Sequence, residues 1–440
     1  TKLYSKFKMK ILFKAIDNSP LIVFRIFFGF LVACESFGAI LTGWVKRVLI
    51  DPQVTFSFIG FEWLKPLPGF GMYFYFIAMG VFGLAIMLGY RYRIAIISYT
   101  ILWAGAYFMQ KTAYNNHYYL LLLISFLMIF LPSNSYASLD VRQNRIKEEN
   151  TMPYWISLLF IIQVAIVYVF ASIAKFYPDW LDGTFTRNLL ADSTNVIALK
   201  KLFLQKWFYL FIAYMGIIFD LLIVPLLLFK KTRMLALLAS LTFHLFNAIF
   251  LEIGIFPFFA LTFVLFFYEP ETIRSVFLRK KTSIETENGH SNYYGKKIVY
   301  FLIIPYLIIQ LLLPLRHHFI EGDVLWTEEG HRLSWRMMLR ERNGFIHIRI
   351  KDLKTGEESL YDYRKNLTDK QIQNLATKPD FIWQYCQYIT KEFKGKDIAI
   401  FINCKNSINR KEYKTLIDPK FDMAKAKWDY FRHNEWLLNR

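Results

Sequence analysis

Residues 155–174 read WISLLFIIQVAIVYVFASIA and carry no charged side chain. A helix needs roughly 17–25 mostly apolar residues to cross a bilayer, so this run is long enough to span one. It is apolar on every side, unlike the one-sided apolar stripe of a helix on the surface of a soluble protein. The stretch therefore predicts a membrane-spanning helix.

Similar runs occur on both sides of it and predict an α-helical polytopic membrane protein with about nine transmembrane helices. The predicted spans are Leu21–Trp44, Gly71–Gly89, Ile94–Met109, Tyr118–Leu131, Trp155–Ala174, Trp207–Phe229, Met234–Leu251, Gly254–Tyr268 and Ile298–Leu315. Of the 440 residues, 55% are hydrophobic and 20% are charged, which excludes a disordered chain.

The net charge of +19 is unevenly distributed along the chain. With the N-terminus inside, the inner segments carry 19 Lys and Arg residues and the outer loops of the membrane part carry 9. Because positive loops remain in the cytoplasm, we expect a cytoplasmic N-terminus and, after an odd number of spans, an outward C-terminal part. The basic charge is thus an orientation signal, and no motif for binding nucleic acid accompanies it.

Residues 316–440 contain no run that could span a membrane. They predict an outward-facing soluble α+β domain, which follows a transmembrane domain of residues 1–315. Phe345–Lys351 alternates apolar and polar side chains and, with Leu360–Tyr363, predicts a hairpin, and Ile398–Asn403 predicts another strand. Two short helices are expected between these strands, one capped by Thr368 and one opened by Pro379.

Polar side chains are costly inside a bilayer, so their positions carry information. Lys111, Asn115, Asn116 and His117 fall in the short turn between the third and fourth spans, on the outer side. They could form an ordinary polar hairpin at the membrane surface, which we favour slightly. They could also place hydrogen-bond donors and an imidazole at the mouth of a cavity.

Lys175 ends the fifth span and is followed by Phe176, Tyr177 and Trp180. The commoner arrangement is a lysine that extends to the membrane interface. The alternative is a buried lysine, because burial disfavours the ammonium and could leave a neutral amine that acts as a base.

His244 and Asn247 are three residues apart in the seventh span and so share one face of a helix. A buried histidine is more often a packing residue than a catalyst, but a His and an Asn together inside a span point to a cavity.

His317, His318 and Glu321 follow the last span, and their spacing does not match a known metal site. We therefore expect no metal. Cys386 and Cys404 could form a disulfide, although we favour free thiols.

No nucleophile elbow, phosphate loop or dinucleotide fingerprint is present in the sequence. The residues alone thus indicate a membrane enzyme or transporter with a polar site near the outer leaflet.

An ordered set of short motifs resembles the vitamin K-dependent γ-glutamyl carboxylase, within the family of horizontally transferred transmembrane (HTTM) domains. The motif KTAYNNHYYL, at Lys111–Leu120, is the most specific of them. The others are Leu64–Pro68, Met87–Ile94, Lys175–Trp180, His244–Asn247, Ile253–Phe256, Leu313–Pro314 with His317, Trp326–Thr327, Ser334–Trp335 with Met337–Met338, Ser407–Asn409, and Asp418–Pro419 with Asp422.

The resemblance implies an enzyme that oxidises a reduced vitamin K hydroquinone with O2 to the epoxide and couples this to carboxylation of glutamate side chains by CO2. It implies that Lys175 is the base that deprotonates the hydroquinone and that His117 is its main catalytic partner. Asn115, Asn116, Lys111, His244 and Asn247 are expected to lie around this cofactor. His317 also matches a family histidine and is expected near the substrate.

The sequence departs from the family where a Leu-Tyr-Gly-Tyr-Ser-Trp-Asp stretch is linked to glutamate binding. The corresponding run here is GHRLSWR, at Gly330–Arg336, so the substrate could be held differently. We expect Arg332, Ser334, Trp335 and Arg336 to contact it, because two arginines can pair with a carboxylate; solvated strand charges are the alternative.

The abundance of Lys, Ile, Asn and Phe suits a bacterial genome, which predicts an inner-membrane protein that uses menaquinol. Its expected partners are the lipid bilayer and a glutamate-containing peptide or protein, with no nucleic acid. Two alternatives stay open: a quinol epoxidase whose carboxylation is lost or altered, and a non-enzymatic transporter or scaffold.

Overall fold

The computed structural model describes residues 11–250, 254–282 and 295–439. Leu251, at the end of one predicted span, and Ile253, in one of the motifs, lie outside the described residues. So do four lysines counted above as inner charges: Lys2, Lys6, Lys8 and Lys10. Each predicted span contains helix where it is described.

Helices dominate the first three quarters of the chain. They are α1 (Ser19–Leu41), α2 (Gly71–Leu88), α3 (Tyr92–Met109), α4 (Asn116–Met128), α5 (Trp155–Ile173), α6 (Thr184–Asp192), α7 (Ile197–Phe203), α8 (Lys206–Leu228), α9 (Arg233–Phe250), α10 (Phe256–Thr262), α11 (Pro270–Phe277) and α12 (Lys296–Phe319). Single helical turns occur at Leu139–Arg142, Pro178–Leu181 and Val324–Thr327. Two short strands, β1 (Ala15–Asp17) and β2 (Thr151–Pro153), pair antiparallel.

Six of the described helices are long and apolar enough to cross a membrane, namely α1, α2, α5, α8, α9 and α12. Asn116–Met128 and Phe256–Phe266 are shorter apolar helices. Helix α3 has 18 residues but is not one of the six. The chain is therefore a mainly helical polytopic membrane protein, and the count of nine spans stays a prediction.

Glycine allows α1 and α2 to pack backbone against backbone. A Cβ on Gly29 of α1 would lie 2.2 Å from the backbone nitrogen of Met87, and one on Gly83 of α2 would lie 2.8 Å from that of Ala33. Small residues at such crossings let membrane helices approach closely. Gly29 and Gly83 therefore determine the point at which α1 and α2 cross.

The C-terminal part forms an antiparallel sheet of four strands in the order β4-β3-β5-β6. The strands are β3 (Arg342–Asp352), β4 (Glu358–Leu360), β5 (Ile398–Ile408) and β6 (Lys414–Thr415), with α13 (Asp369–Thr377) and α14 (Pro379–Glu392) between β4 and β5.

Strands β3 and β5 pair along their whole length, from Arg342 opposite Ile408 to Asp352 opposite Ile398. Alternate residues of β3 are buried, as the sequence predicts for a strand with one face on a core. The expected hairpin joins β3 to β4, but its second strand is Glu358–Leu360 and shares only Leu360 with the predicted Leu360–Tyr363. Thr368 caps α13 in a capping box with Gln371, and Pro379 opens α14, both as predicted. Cys386 and Cys404 are buried free thiols.

Each of the two parts inserts an aromatic side chain into the core of the other. Trp335, from the segment before β3, is fully buried among the membrane helices, 5.0 Å from the ring of Tyr119. Phe56, from the loop between α1 and α2, packs in the core of the C-terminal sheet, 4.7 Å from Phe381. The helices and the sheet are therefore held in a fixed relation.

We expect Gly29→Ala to destabilise the protein, because the added methyl group would meet the backbone of Met87. Overpacking of this kind typically costs about 1–3 kcal/mol. The thermal unfolding midpoint of the protein in detergent measures the effect. Gly38→Ala, on the same helix with no atom within 4 Å of the new Cβ, is the matched control and should leave the midpoint unchanged. Equal midpoints for the two variants would contradict the backbone contact between α1 and α2.

Candidate functional site

Lys175 lies just after α5 with its ammonium group buried. Nζ forms an ion pair with the carboxylate of Asp220 on α8 and donates to the carbonyl oxygen of Ala171 at 3.2 Å. Nζ also lies 5.4 Å from the centre of the Trp180 ring. Of the two arrangements considered from the sequence, the structure has the buried lysine.

Asp220 is a site residue that the sequence analysis missed. It is the one acidic residue of α8, which reads KWFYLFIAYMGIIFDLLIVPLLL. A lone acid within an apolar span is costly unless it is paired, and this is the signal that could have located it.

His117 and His244 have one aromatic neighbour in common, Phe256. The His117 ring stacks on Phe256 with 3.8 Å between centroids, and the His244 ring meets Phe256 edge-on at 6.2 Å. His244 Nε2 is 3.1 Å from the hydroxyl group of Tyr168. Nδ1 of each histidine is buried and has no hydrogen-bond partner among the described residues. Each histidine therefore has a ring nitrogen whose hydrogen-bonding capacity is not used by the described residues.

Phe219 connects this histidine pair with Lys175. Its ring contacts those of Tyr168 at 5.9 Å and His244 at 6.0 Å, and the next residue is Asp220. The structure thus brings the ion pair and the histidines into one contiguous cluster of side chains from α4, α5, α8, α9 and α10.

The two asparagines of the KTAYNNH motif have different positions. The Asn115 side chain accepts the backbone N–H of Tyr118 at 2.8 Å and so caps α4. Asn116 donates to the backbone carbonyl of Arg336 at 3.2 Å and accepts from the hydroxyl group of Tyr114 at 3.0 Å. Asn116 therefore joins α4 to the Gly330–Arg336 segment. Asn247 is half-buried on α9.

Lys111 and Arg332 converge on one acid, Asp380, at the start of α14. Lys111 Nζ is 2.8 Å from Oδ2, and the Arg332 guanidinium group contacts both carboxylate oxygens at 3.0–3.3 Å. Burial lowers the pKa of Lys111 to about 8. Burial opposes ionisation of Asp380, but Arg332 and Lys111 hold its pKa at about 2. Lys111 and Arg332, two of the predicted ligand-binding cations, are thus engaged within the protein.

The segment from Glu328 to Met338 has an unusual backbone. Glu328, Leu333, Trp335 and Met338 all have positive φ, between 47° and 62°. Side chains other than glycine rarely adopt this conformation, and such residues are concentrated at functional sites. The neighbouring Ser334 donates to the carbonyl of His331.

A cavity of about 330 Å³ next to this segment is strongly cationic. Its charged lining consists of one acid, Glu328, and six basic residues: Arg332, Arg336, Arg340, Arg342, Lys370 and Lys378. Burial would raise the pKa of Glu328, but Arg340, His331 and Arg342 hold it well below its usual range. Asn115, Asn116 and His117 also line this cavity. Its charge suits an anionic ligand.

Arg336 borders both this cavity and a second one of about 560 Å³. The second cavity is also lined by Tyr177, His317 and Ser334. Nε of Arg336 is buried and unpartnered among the described residues, and its side chain forms no ion pair with a described acid. Burial lowers the pKa of Arg336 to about 10, and Arg340 adds to this effect. His317 is oriented by a 2.8 Å contact between its Nδ1 and the carbonyl oxygen of Pro314.

A third cavity, of about 460 Å³, is also lined by His117. It differs from the cationic cavity because aromatic and aliphatic side chains dominate its walls. Its apolar lining includes Trp44, Leu121, Phe256 and Phe259. The apolar walls and the His117 imidazole suit a flat apolar ligand with polar groups at its edge.

Two motifs distant in the sequence meet beside Lys175. Asn409 of the Ser407–Asn409 motif donates to Asp179 of the Lys175–Trp180 motif at 2.8 Å, and Lys411 forms an ion pair with the same carboxylate. These contacts fix the segment after α5 to the C-terminal sheet.

Across residues 11–250, 254–282 and 295–439, no three His, Cys, Asp or Glu residues group as ligands for a metal ion. His317 and His318 stack with 4.0 Å between ring centroids.

Comparison with known protein families covers almost the whole chain. The HTTM domain matches residues 13–271, and the lumenal domain of vitamin K-dependent gamma-carboxylase matches residues 295–440. No solved structure matches the chain. The first match spans more than half of the 440 residues, and the second covers the segment with the cationic cavity. The chain therefore belongs to the vitamin K-dependent gamma-carboxylase family, with an HTTM domain followed by the lumenal domain of that family.

Proposed function

We propose that the protein oxidises a reduced naphthoquinone with O2 to the epoxide and uses this reaction to carboxylate glutamate side chains with CO2. The observation that supports it most is the buried Lys175–Asp220 pair, which adjoins two histidines with unpartnered nitrogens. The bound hydroquinone would supply the reducing power and the energy for removing a γ-hydrogen from glutamate.

Lys175 is the proposed base toward the hydroquinone. An amine accepts a proton only when it is itself unprotonated, and apolar surroundings disfavour charged groups. Asp220 contacts Nζ directly and can take up its proton, which leaves two neutral groups where two charges were. In this scheme Asp220 is a positioning residue and proton acceptor, and Lys175 is the catalytic residue.

His117 is the proposed partner of the reacting group, because its unpartnered Nδ1 can exchange a hydrogen bond or a proton. Phe256 holds the imidazole by stacking, and His244 lies on another side of the same ring. Asn116 donates to the backbone of Arg336 and would therefore hold α4, with His117, at a fixed distance from the segment that carries Arg336.

The glutamate carboxylate is proposed to bind in the cationic cavity. Arg332 is held by Asp380, so Arg336 is the arginine available for a substrate carboxylate. His117 and Asn116 line this cavity as well, so a substrate there would lie beside the oxidation site. His317, Ser334 and Trp335 are proposed to shape the segment that carries Arg336.

The further features of the proposal come from the sequence. They are a bacterial inner-membrane location, a cytoplasmic N-terminus, an outward domain of residues 316–440, and menaquinol as the source of reducing equivalents.

A second candidate is a quinol epoxidase with altered or lost carboxylation. It is favoured by the engagement of Arg332 with Asp380, which leaves fewer groups for glutamate than the sequence suggests. Purified protein given a naphthohydroquinone, O2, labelled CO2 and a glutamyl peptide distinguishes the two. Fixed label supports the carboxylase, epoxide without label supports the epoxidase, and no hydroquinone-dependent oxygen uptake refutes both.

We expect Lys175→Met to reduce epoxide formation by about 10²–10⁴-fold, the usual contribution of a general base. This single change leaves the buried carboxylate of Asp220 without its partner, which could destabilise the fold. The double variant Lys175→Met/Asp220→Leu removes both charges and therefore tests the role of Lys175 without an unpaired buried charge. Both variants should bind hydroquinone and form epoxide only at this reduced rate. Lys200→Ala, an exposed lysine on the same predicted side, should retain full activity. Epoxide formation in the folded double variant at the wild-type rate would refute the role of Lys175.

We expect Arg336→Gln to raise the KM for a glutamyl peptide by about 10–100-fold, because a charge-assisted hydrogen bond contributes roughly 1.5–3 kcal/mol. Epoxide formation without peptide should change little. The matched control is Arg349→Gln, on the exposed face of β3, where Arg349 pairs with Glu358. An unchanged KM in Arg336→Gln would place the substrate carboxylate elsewhere.

A further inference from the structure

Glu35 is an intramembrane acid to which the proposed reaction assigns no role. It is the one acidic residue of α1, which reads SPLIVFRIFFGFLVACESFGAIL. It lies in the half of the span nearer Leu41, on the same side of the bundle as His117. A carboxyl group inside an apolar span is costly and marks a functional position unless packing explains it.

Only one of the two oxygen atoms of this carboxyl group has a hydrogen-bond partner among the described residues. Oε1 accepts the hydroxyl group of Tyr118 at 2.8 Å. No described residue donates to Oε2. The Tyr118 ring is itself fixed edge-on to Trp103 at 5.1 Å and to Trp44 at 6.3 Å, so the carboxyl group has a defined position.

Glu35 lines the apolar cavity of about 460 Å³ together with His117. The other walls include Trp44, Leu121 and Phe259, none of which offers a hydrogen-bond acceptor at its ring or aliphatic face. The cavity thus combines flat apolar walls with the Glu35 carboxylate, the His117 imidazole and the Asn115 amide, a set of groups suited to a ring that carries polar groups at its edge.

A carboxylate accepts hydrogen bonds and cannot donate them. A hydroquinone has two hydroxyl groups that donate, whereas the corresponding quinone has two carbonyl groups that only accept. In an apolar cavity, a carboxylate opposite a quinone carbonyl leaves both acceptors without a donor, which is unfavourable. The same carboxylate opposite a hydroxyl group forms a charge-assisted hydrogen bond.

We propose that Glu35 makes this cavity selective for the reduced form of a naphthoquinone, by accepting a hydrogen bond from a ring hydroxyl group that the oxidised form lacks. The identity of the ligand rests on the proposed function. Glu35 is on this view a specificity-determining residue: it binds the hydroquinone and rejects the quinone, and Tyr118 holds it in place.

The test measures binding in the absence of turnover. Full-length protein in detergent is dialysed to equilibrium without oxygen against labelled 2-methyl-1,4-naphthohydroquinone, and separately against the corresponding quinone. We expect the wild-type protein to bind the hydroquinone at least about tenfold more tightly, as one charge-assisted hydrogen bond predicts.

Glu35→Gln keeps the acceptor for Tyr118 but places an amide donor where the free oxygen was. Its preference for the hydroquinone should fall by about tenfold or reverse. Glu148→Gln, at an exposed acid outside this cavity, is the matched control and should keep the wild-type ratio. Tyr118→Phe should weaken the preference less than Glu35→Gln, because the carboxylate remains.

An equal ratio in wild type and Glu35→Gln would overturn the assignment of Glu35, even if the wild-type protein fixes CO2. A wild-type protein with the expected ratio but no epoxide or fixed CO2 would overturn the proposed function and leave the assignment of Glu35 intact. Failure of the wild-type protein to bind either ligand would overturn both.

Discussion

The structure depends on reciprocal insertion: each of its two parts buries one aromatic side chain in the core of the other. Trp335 is buried among the membrane helices, and Phe56 is buried in the core of the C-terminal sheet. Burial of each of these side chains contributes about 2–3 kcal/mol, so separation of the two parts would lose both contributions. The segment with Arg336 and the helix with His117 therefore keep a fixed separation, and the candidate site exists only when both cores are formed.

The protein also contains several buried ion pairs. Lys175 with Asp220, and Lys111 and Arg332 with Asp380, place ions where water is scarce. Such pairs rarely add stability relative to apolar residues of similar size. The cationic cavity differs, because its lining has six basic residues and one acid, Glu328, and Asp380 outside the lining forms an ion pair with only one of the six, Arg332. This imbalance is what distinguishes a site for an external anion from a structural ion pair.

Much of the fold could be predicted from the sequence, because long apolar runs and strand alternation are local patterns. The membrane helices, the hairpin at β3 and the cap at Thr368 are of this kind. The partners of site residues could not be predicted, because they depend on contacts between distant segments. Asp380 forms ion pairs with both Lys111 and Arg332, and more than 200 residues of sequence separate it from Lys111. Asp220 and Glu35 were within reach of the sequence, since each is the one acid of its helix.

The positive φ angles of Glu328, Leu333, Trp335 and Met338 have an evolutionary consequence. Each side chain keeps a backbone conformation that glycine would adopt without strain. Replacement by glycine would relieve that strain but would delete the contacts of Glu328 with Arg342 and of Trp335 with Tyr119. At Trp335 and Glu328 the lost contacts outweigh the relieved strain, because the Trp335 ring is fully buried and Glu328 pairs with two arginines. At the half-buried Leu333 and the exposed Met338 the balance favours glycine, so a population screened only for heat resistance would change this segment first at those two positions.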